Sequence, residues 1–238
     1  MKNAIRTNFD ESPSAYDRYE RQTGRFGELA DRLYEGMDAR RTEPIETVLD
    51  AGAGTGSSSR QIEAHSVASV ALDISRGMLR KNPVENRVQG DFDHLPFETE
   101  CFDAVAFTAS LFLAPDPERA AREAHRVRCP GAPVGAVAPL GWTTPDGEDI
   151  FTLLDRDSRS PTSTEAVGDA LRNCFDVETG TWSFETGGEA LRTFHEIPAM
   201  SARLYPRLET TERIERAQEL LSDIEGPLQQ HWRWFVGT

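Results

Sequence analysis

The sequence predicts one α/β domain, a mostly parallel sheet with helices on both faces, and three observations carry that prediction. Short apolar runs that end in an acid alternate with segments whose apolar residues recur at helical spacing. At 48–64 an apolar strand end, a glycine turn and a helix start follow one another directly. Near the far end an alternating run at 231–236 reads as a strand pairing antiparallel with the strand before it.

Two helices come first. The segment from Phe9 to Tyr19 carries aromatics before a second helix at 23–39, whose Phe26, Leu29, Ala30, Leu33 and Met37 form a buried stripe. Strand one ends in Val48-Leu49-Asp50-Ala51, followed by Gly52-Ala53-Gly54-Thr55-Gly56 and a helix from Ser57. Glycine lets backbone approach a ligand closely and adopt dihedrals that other residues avoid, and a helix start offers unpaired N–H groups. That combination points to a nucleoside ligand. A dinucleotide fingerprint would space its glycines G-x-G-x-x-G around a pyrophosphate. Here glycines occupy alternate positions and Asp50 stands just before them, so a pyrophosphate is disfavoured and a ligand with an ammonium group is favoured, bound directly or through water.

Ser69-Val70-Ala71-Leu72-Asp73 is a second buried strand, whose terminal carboxylate can accept both hydroxyls of a ribose. Arg87 to Phe92 gives a third, ending in Asp91 for an adenine amino group and Phe92 for an adenine ring. Phe102 to Thr108 is a fourth strand, with Asp103 structural at its start and Thr108 at its cofactor end, and 132–138 is a fifth. Between them Asp116-Pro117 has the form of an N-cap with proline at the first helical position, opening a helix with Ala120, Ala121, Ala124 and Val127 on one face.

The order from Val48 to Ala138 resembles the core of class I S-adenosylmethionine-dependent methyltransferases, close to the type 11 and ubiquinone/menaquinone-type families. The resemblance implies a Rossmann-like seven-stranded, mostly parallel sheet with an antiparallel last strand and a small helical cap inserted before it. It assigns the methionine part of the cofactor to Gly52, Ala53, Gly54 and Gly56, ribose and adenine to Asp73 and Ile74, and adenine to Asp91 and Phe92. Together with Asp50, Thr108 and an aromatic from the first helix, Tyr16 with Tyr19 in reserve, these form the expected cofactor site. The competing reading has both tyrosines packing that helix onto the core. Where many relatives carry a Leu-His pair after strand four, this chain has Ser110-Leu111-Phe112-Leu113, so no general base carries over.

The remainder is expected to build the substrate side. Trp142, in a loop after strand five, is a candidate for the acceptor pocket or a surface-packing residue. The segment 158–163 is a polar loop, a helix at 164–173 leads into a sixth strand at 175–184, and a helix from 187 is closed by Pro198. A helix at 211–224 has Ile214, Ala217, Leu221 and Ile224 on one side. His195, in this cap, is the one weak candidate for a catalytic base. The expected organisation is a single methyltransferase domain over 1–238: N-terminal helices at 1–45, cofactor core at 46–140, and substrate cap with the last two strands at 141–238.

Composition excludes other classes. With 26 basic against 40 acidic residues and a net charge of −14, nonspecific nucleic-acid binding is disfavoured. Cys101, Cys129 and Cys174 have neither disulfide-framework nor zinc spacing, so no metal is expected. No apolar run spans a membrane and the N-terminal residues lack a secretory pattern, which makes the cytoplasm the expected compartment. Lys2 and Lys81 are the only lysines. This acid-rich, lysine-poor composition is similar to that of proteins from cells holding molar salt, and a high-GC genome with an acidic proteome is the plain alternative. The expected activity is methyl transfer from S-adenosylmethionine to a small-molecule acceptor by in-line displacement. The alternatives are a non-catalytic binder of the same cofactor or, less favoured, an NAD-dependent dehydrogenase. Oligomeric state is not encoded in any pattern read here.

Overall fold

A computed structural model describes residues 2–65, 67–152 and 163–238. The polar segment 158–162 lies outside them. Helices α1 (Lys2–Asp10), α2 (Pro13–Thr23) and α3 (Arg25–Asp38) precede the first strand. The α/β core then runs β1 (Thr47–Ala51), α4 (Ser57–Ala64), β2 (Ala68–Asp73), α5 (Arg76–Leu79), β3 (Arg87–Gln89), β4 (Ala104–Phe107), α6 (Pro117–Val127) and β5 (Val134–Thr143). Beyond it lie α7 (Thr164–Arg172), β6 (Val177–Gly187), α8 (Gly188–His195), α9 (Pro198–Leu204), α10 (Thr210–Leu221) and β7 (Pro227–Gly237).

The seven strands form one sheet in the order β3-β2-β1-β4-β5-β7-β6. The first five pair in parallel, while β7 runs antiparallel to both β5 and β6. This is the expected Rossmann-like architecture. Strand order reverses between β1 and β4, and such a switch point opens a crevice at the carboxyl ends of the strands.

The central strands are apolar on both sides because helices cover both faces. Val48, Leu49, Val105, Phe107 and Val137 are all within 1 % of full burial. The α3 stripe of Leu29, Ala30, Leu33 and Met37 is buried against the sheet, as its periodicity predicts. Asp116 caps α6 through a bond from the Arg119 N–H at 2.9 Å, with Pro117 next in line. Asp103 pins the start of β1 by accepting from the Glu46 and Thr47 N–H groups, which is a structural role.

Three expectations change beyond the fifth strand's predicted end. Strand β5 continues through Gly141 to Thr143 instead of ending near Ala138, because β7 pairs with it past an irregularity between Pro139 and Gly141. Trp142 is therefore a strand residue, 3 % exposed, packed near Phe194. Pro198 opens a new helix, α9, at its first position, in addition to ending the one before. The last strand begins at Pro227, four residues earlier than its alternation suggests, and its Trp232 is fully buried while Trp234 stacks on Trp182.

Helices α8, α9 and α10, inserted between β6 and β7, have a core of their own. Leu191, Phe194, Ile197, Met200, Leu204, Ala217 and Leu221 bury there with Tyr19 and Trp142. Tyr19 is fully buried; its hydroxyl donates to Gln230 of β7 at 3.2 Å and its ring meets Phe194 of α8 edge-on with centroids 5.1 Å apart, so it packs the first helices onto both β7 and the cap. Helix α1 packs against both α5 and α9, which brings the N-terminus and the cap over the same sheet edge. Among the described residues, no helix is long and apolar enough to cross a membrane.

Candidate cofactor and acceptor site

A cavity opens at that edge. Its floor is made by segments that follow four parallel strands: Gly52–Thr55 after β1, Asp73 and Ile74 at the end of β2, Gly90–Phe92 after β3, and Thr108–Ser110 after β4. Ile5, Phe9, Tyr16 and Phe26 from the N-terminal helices cover it, and Leu113, Ala114 and Pro115 close one side.

The glycine turn is shaped by two close approaches. Gly52 has φ +82°, and its N–H donates to the Leu72 carbonyl at 2.7 Å. A Cβ there would meet the Ser110 Cβ at 2.4 Å, where Ser110 Oγ is fixed by donating to the Ala51 carbonyl at 2.6 Å. Gly54 has φ +54° with open space where its Cβ would stand. The two glycines therefore predict different mutants. Gly52→Ala is expected to lower unfolding stability by about 1–3 kcal/mol through clash with Ser110, in addition to about 1–2 kcal/mol for its own left-handed backbone. Gly54→Ala costs about 1–2 kcal/mol for its left-handed backbone and fills ligand space. Urea midpoints set beside binding titrations check this: greater binding loss for Gly52→Ala than for Gly54→Ala contradicts it.

Asp73 is the polar centre of the cavity. Its Oδ2 accepts the Gly54 N–H at 2.9 Å and its Oδ1 the Ser75 N–H at 2.8 Å, so both oxygens are aimed by backbone and retain lone pairs for a ligand. Burial pushes its pKa up to about 6, against the lowering effect of those two N–H groups; the nearby Asp50 and Asp10 carboxylates raise it further. Asp10, at the end of α1, accepts from Ser75 Oγ at 2.6 Å and from the Gly77 N–H at 3.0 Å, and so ties the N-terminal helix to this turn.

Phe92 stands edge-on to Phe107, with ring centroids 5.5 Å apart, and its tip lies 3.1 Å from where a Gly52 Cβ would be. Asp91 lines the cavity and holds its loop by accepting the Asp93 N–H. The Thr108 hydroxyl lines the cavity, buried and without a hydrogen-bond partner. The Tyr16 ring packs 5.5 Å from Phe26, and burial, then the Asp73 charge, raise its phenol pKa, keeping the O–H as a donor.

Two expected cofactor residues stand behind the cavity wall. Asp50 is fully buried, and the Ser58 and Ser59 hydroxyls both donate to its Oδ2 at 2.6 Å, so it anchors the start of α4 under the glycine turn. Its Oδ1 is buried without a partner, and desolvation pushes its pKa up to about 6. Gly56 packs against Asn82 and Pro83, where a Cβ would come within 2.6 Å of each. His195 also lies off the cavity, buried in the cap with Nδ1 bonded to the Leu191 carbonyl and its ring against Phe151 and Phe194. Of the described residues lining the cavity, only Tyr16, Asp73 and Asp91 have titratable side chains. Sequence reasoning missed Ile5, Phe9 and Leu113 as lining residues, and took Phe26 for core alone.

Residues 49–134 match the methyltransferase domain family. The demethylmenaquinone methyltransferase of Clavibacter sepedonicus is 35 % identical over 193 residues, covering 72 % of this chain and 76 % of that protein. The chain belongs to the class I S-adenosylmethionine-dependent methyltransferases. The same-named enzyme of Renibacterium salmoninarum is 39 % identical over 99 residues, a stretch covering 40 % of this chain and 42 % of that enzyme. A Bacillus halodurans crystal structure, named as a candidate methyltransferase, superposes with TM-score 0.58 at 17 % identity, covering 86 % of this chain and 96 % of that one; it supports the fold. S-adenosylmethionine use follows from the family. The buried, unpartnered Thr108 hydroxyl and the open space at Gly54 fit a polar ligand of that kind.

Proposed function

We propose that this methyltransferase transfers a methyl group to a small, largely apolar ring acceptor of the quinol type, by in-line displacement and with catalysis mainly by positioning. The observation that carries the reading is Asp73, a buried carboxylate held by the Gly54 and Ser75 N–H groups on the floor of a cavity roofed by Phe9, Tyr16 and Phe26. In this reading Asp73 and Ile74 hold the ribose, Asp91 and Phe92 the adenine, and Gly52, Ala53, Gly54 and Thr108 the methionine end. Asp50 and Gly56 support the turn from behind. When bound, S-adenosylmethionine supplies a methyl group on a sulfonium, an electrophile that needs no activation by the protein.

What remains for the chain is to exclude water and orient the acceptor. Ile5, Phe9, Phe26 and Leu113 give the roof and side wall an apolar surface suited to a ring. With no histidine on the described lining and the Tyr16 phenol held protonated, the acceptor is expected to arrive with its nucleophilic atom already electron-rich. The name of the Clavibacter relative, a demethylmenaquinone methyltransferase, supports a reduced naphthoquinone as the first acceptor to try.

The test uses radiolabelled S-adenosylmethionine with short-chain demethylmenaquinol and, separately, its oxidised quinone. Label is expected in the quinol product and at least tenfold less in the quinone reaction. Equal labelling of both, or labelling of neither while S-adenosylhomocysteine binds, rejects the quinol reading.

A further inference from the structure

Helix α1 is tied to the molecule on two sides. Toward the cofactor turn, Asp10 Oδ1 accepts from Ser75 Oγ at 2.6 Å and from the Gly77 N–H at 3.0 Å. Ser75 is fully buried, and its N–H donates to Asp73 Oδ1 at 2.8 Å while its Oγ accepts the Met78 N–H at 3.1 Å, capping α5. The carboxylate assigned to the ribose and the carboxylate that ends α1 thus share one serine. Toward the cap, Asn8 Oδ1 accepts from Arg213 Nη2 at 2.6 Å and Glu11 Oε2 from Thr210 Oγ1 at 2.8 Å.

Gly77 shows independently that the first of these contacts is built into the chain. It lies within α5, where glycine is an unfavourable choice, and a Cβ there would stand 3.1 Å from the Asp10 carbonyl oxygen and 3.2 Å from its Cα. What glycine provides at this position is room for the end of α1. The same helix carries Ile5 and Phe9 over the cavity, with the Phe9 ring 6.2 Å from that of Tyr16. A helix of nine residues, with no acid in its first turn and no base in its last, is marginal by itself, so these contacts hold it in place. Asp10 is exposed, and its bonds exchange for bonds to water at small net cost. A contact that is specific in geometry yet weak in energy can act as a latch.

We infer that Asp10 is a positioning residue that latches α1 over the cavity when a cofactor orders the turn at 73–77, so that the acceptor site is complete only in the cofactor-loaded enzyme. This rests on the methyltransferase reading of the same cavity and adds the order in which the site fills, cofactor first. In that reading the ribose hydroxyls bond to Asp73, which holds the Ser75 N–H and thereby presents the Ser75 hydroxyl and Gly77 N–H to Asp10. Closure of the latch then sets Ile5 and Phe9 in place as the apolar surface offered to the acceptor. The coupling is reciprocal: whatever factor the cofactor adds to closure, the closed latch adds to cofactor affinity.

The test is amide hydrogen exchange on the full chain, read over residues 2–10 by mass spectrometry with and without saturating S-adenosylhomocysteine, beside a binding titration. In the wild type the ligand is expected to slow exchange of this segment about tenfold, within the roughly 5–150-fold span of coupled sites. In Asp10→Ala that slowing is expected to fall below about threefold and, by reciprocity, S-adenosylhomocysteine affinity to drop about tenfold, while the ligand still slows exchange at the glycine turn. Gly77→Ala is expected to give the same two changes from the opposite side, because its Cβ displaces the end of α1. It also replaces Asp10→Ala should that variant fail to fold. A wild type that binds S-adenosylhomocysteine without slower exchange at 2–10 overturns the inference and leaves Asp10 as a fixed tie. Slowing that persists at its full size in the variants overturns it as well. Failure of the wild type to bind S-adenosylhomocysteine in the titration rejects the methyltransferase reading itself.

Discussion

Replacement of Asp73 by alanine is expected to weaken S-adenosylhomocysteine binding by at least about 100-fold. A hydrogen bond to a charged group contributes roughly 1.5–3 kcal/mol, and the proposed placement gives this carboxylate two ribose hydroxyls, so about 3–6 kcal/mol is lost. Each 1.4 kcal/mol is tenfold in affinity, which sets the 100-fold floor. Stability should respond less. The variant abandons two backbone donors, Gly54 and Ser75 N–H, but it also removes a buried carboxylate whose ionisation is opposed by burial and by Asp50. Asp73→Asn retains one acceptor oxygen and is expected to fall between alanine and wild type. Calorimetric titration with S-adenosylhomocysteine beside urea unfolding makes the comparison, and an Asp73→Ala protein that binds as wild type does would remove the ribose from this position.

The residues of that experiment were legible because the sheet does the assembling. In a parallel sheet every strand delivers its carboxyl end to the same edge, so Gly52, Asp73, Asp91 and Thr108, far apart in sequence, become neighbours once four strand ends are recognised. Periodicity likewise exposes the α3 stripe, since helix spacing alone decides which residues face the sheet. The roof was less legible. Ile5 and Phe9 reach the cavity only because Asp10 ties α1 to the turn at Ser75 and Gly77, a contact spanning more than sixty residues that no local pattern signals. Phe26 belongs to a core stripe and to the cavity at once, and spacing reports only the first.

The cap was read in outline and missed in detail for a related reason. Trp142 looks like a loop residue beside Gly141, yet β7 pairs through Gln230 with it and draws it into the strand. Pro198 punctuates the chain either way, and only packing of Met200 and Leu204 into the cap core makes it a beginning. Arg203 carries no sequence signal at all: in a charge-rich chain an arginine on a short helix reads as surface, whereas its Nη1 is buried without a hydrogen-bond partner. Asp50 shows the converse. Its place before the glycines suggested an ammonium partner, while the folded chain spends one of its oxygens on Ser58 and Ser59.

That arrangement predicts how stability depends on pH. Asp50 has a folded-state pKa of about 6, against an ordinary value of 3.8 in the unfolded chain. Below about pH 4 both states hold the proton and Asp50 contributes no pH dependence. Between about 4 and 6 the unfolded chain releases its proton while the folded one keeps it, so this group makes stability fall as pH rises; above about 6 the penalty is constant. A shift of about two units corresponds to about 3 kcal/mol at 1.36 kcal/mol per unit. Other carboxylates act in the opposite sense: Gln61 with His65 lowers the pKa of Asp31, and Arg126 lowers that of Glu123. The wild-type curve alone therefore mixes both signs, and a difference against Asp50→Asn isolates the one of interest. The asparagine oxygen can still accept from Ser58 and Ser59, and its amide replaces the partnerless Oδ1, at a cost that does not vary with pH. The unfolding free energy of Asp50→Asn relative to wild type is expected to rise by about 3 kcal/mol from pH 4 to pH 7, a relative gain of roughly 6–12 °C in Tm for a chain of this size. Loss of the Asp50 charge also eases ionisation of Asp73 beside it, which adds to the gain in the same direction. A flat difference across that range would mean that Asp50 ionises in the folded protein at its ordinary pKa. The anchor under the glycine turn would then be solvated, and the turn looser than its bonds to Ser58 and Ser59 imply.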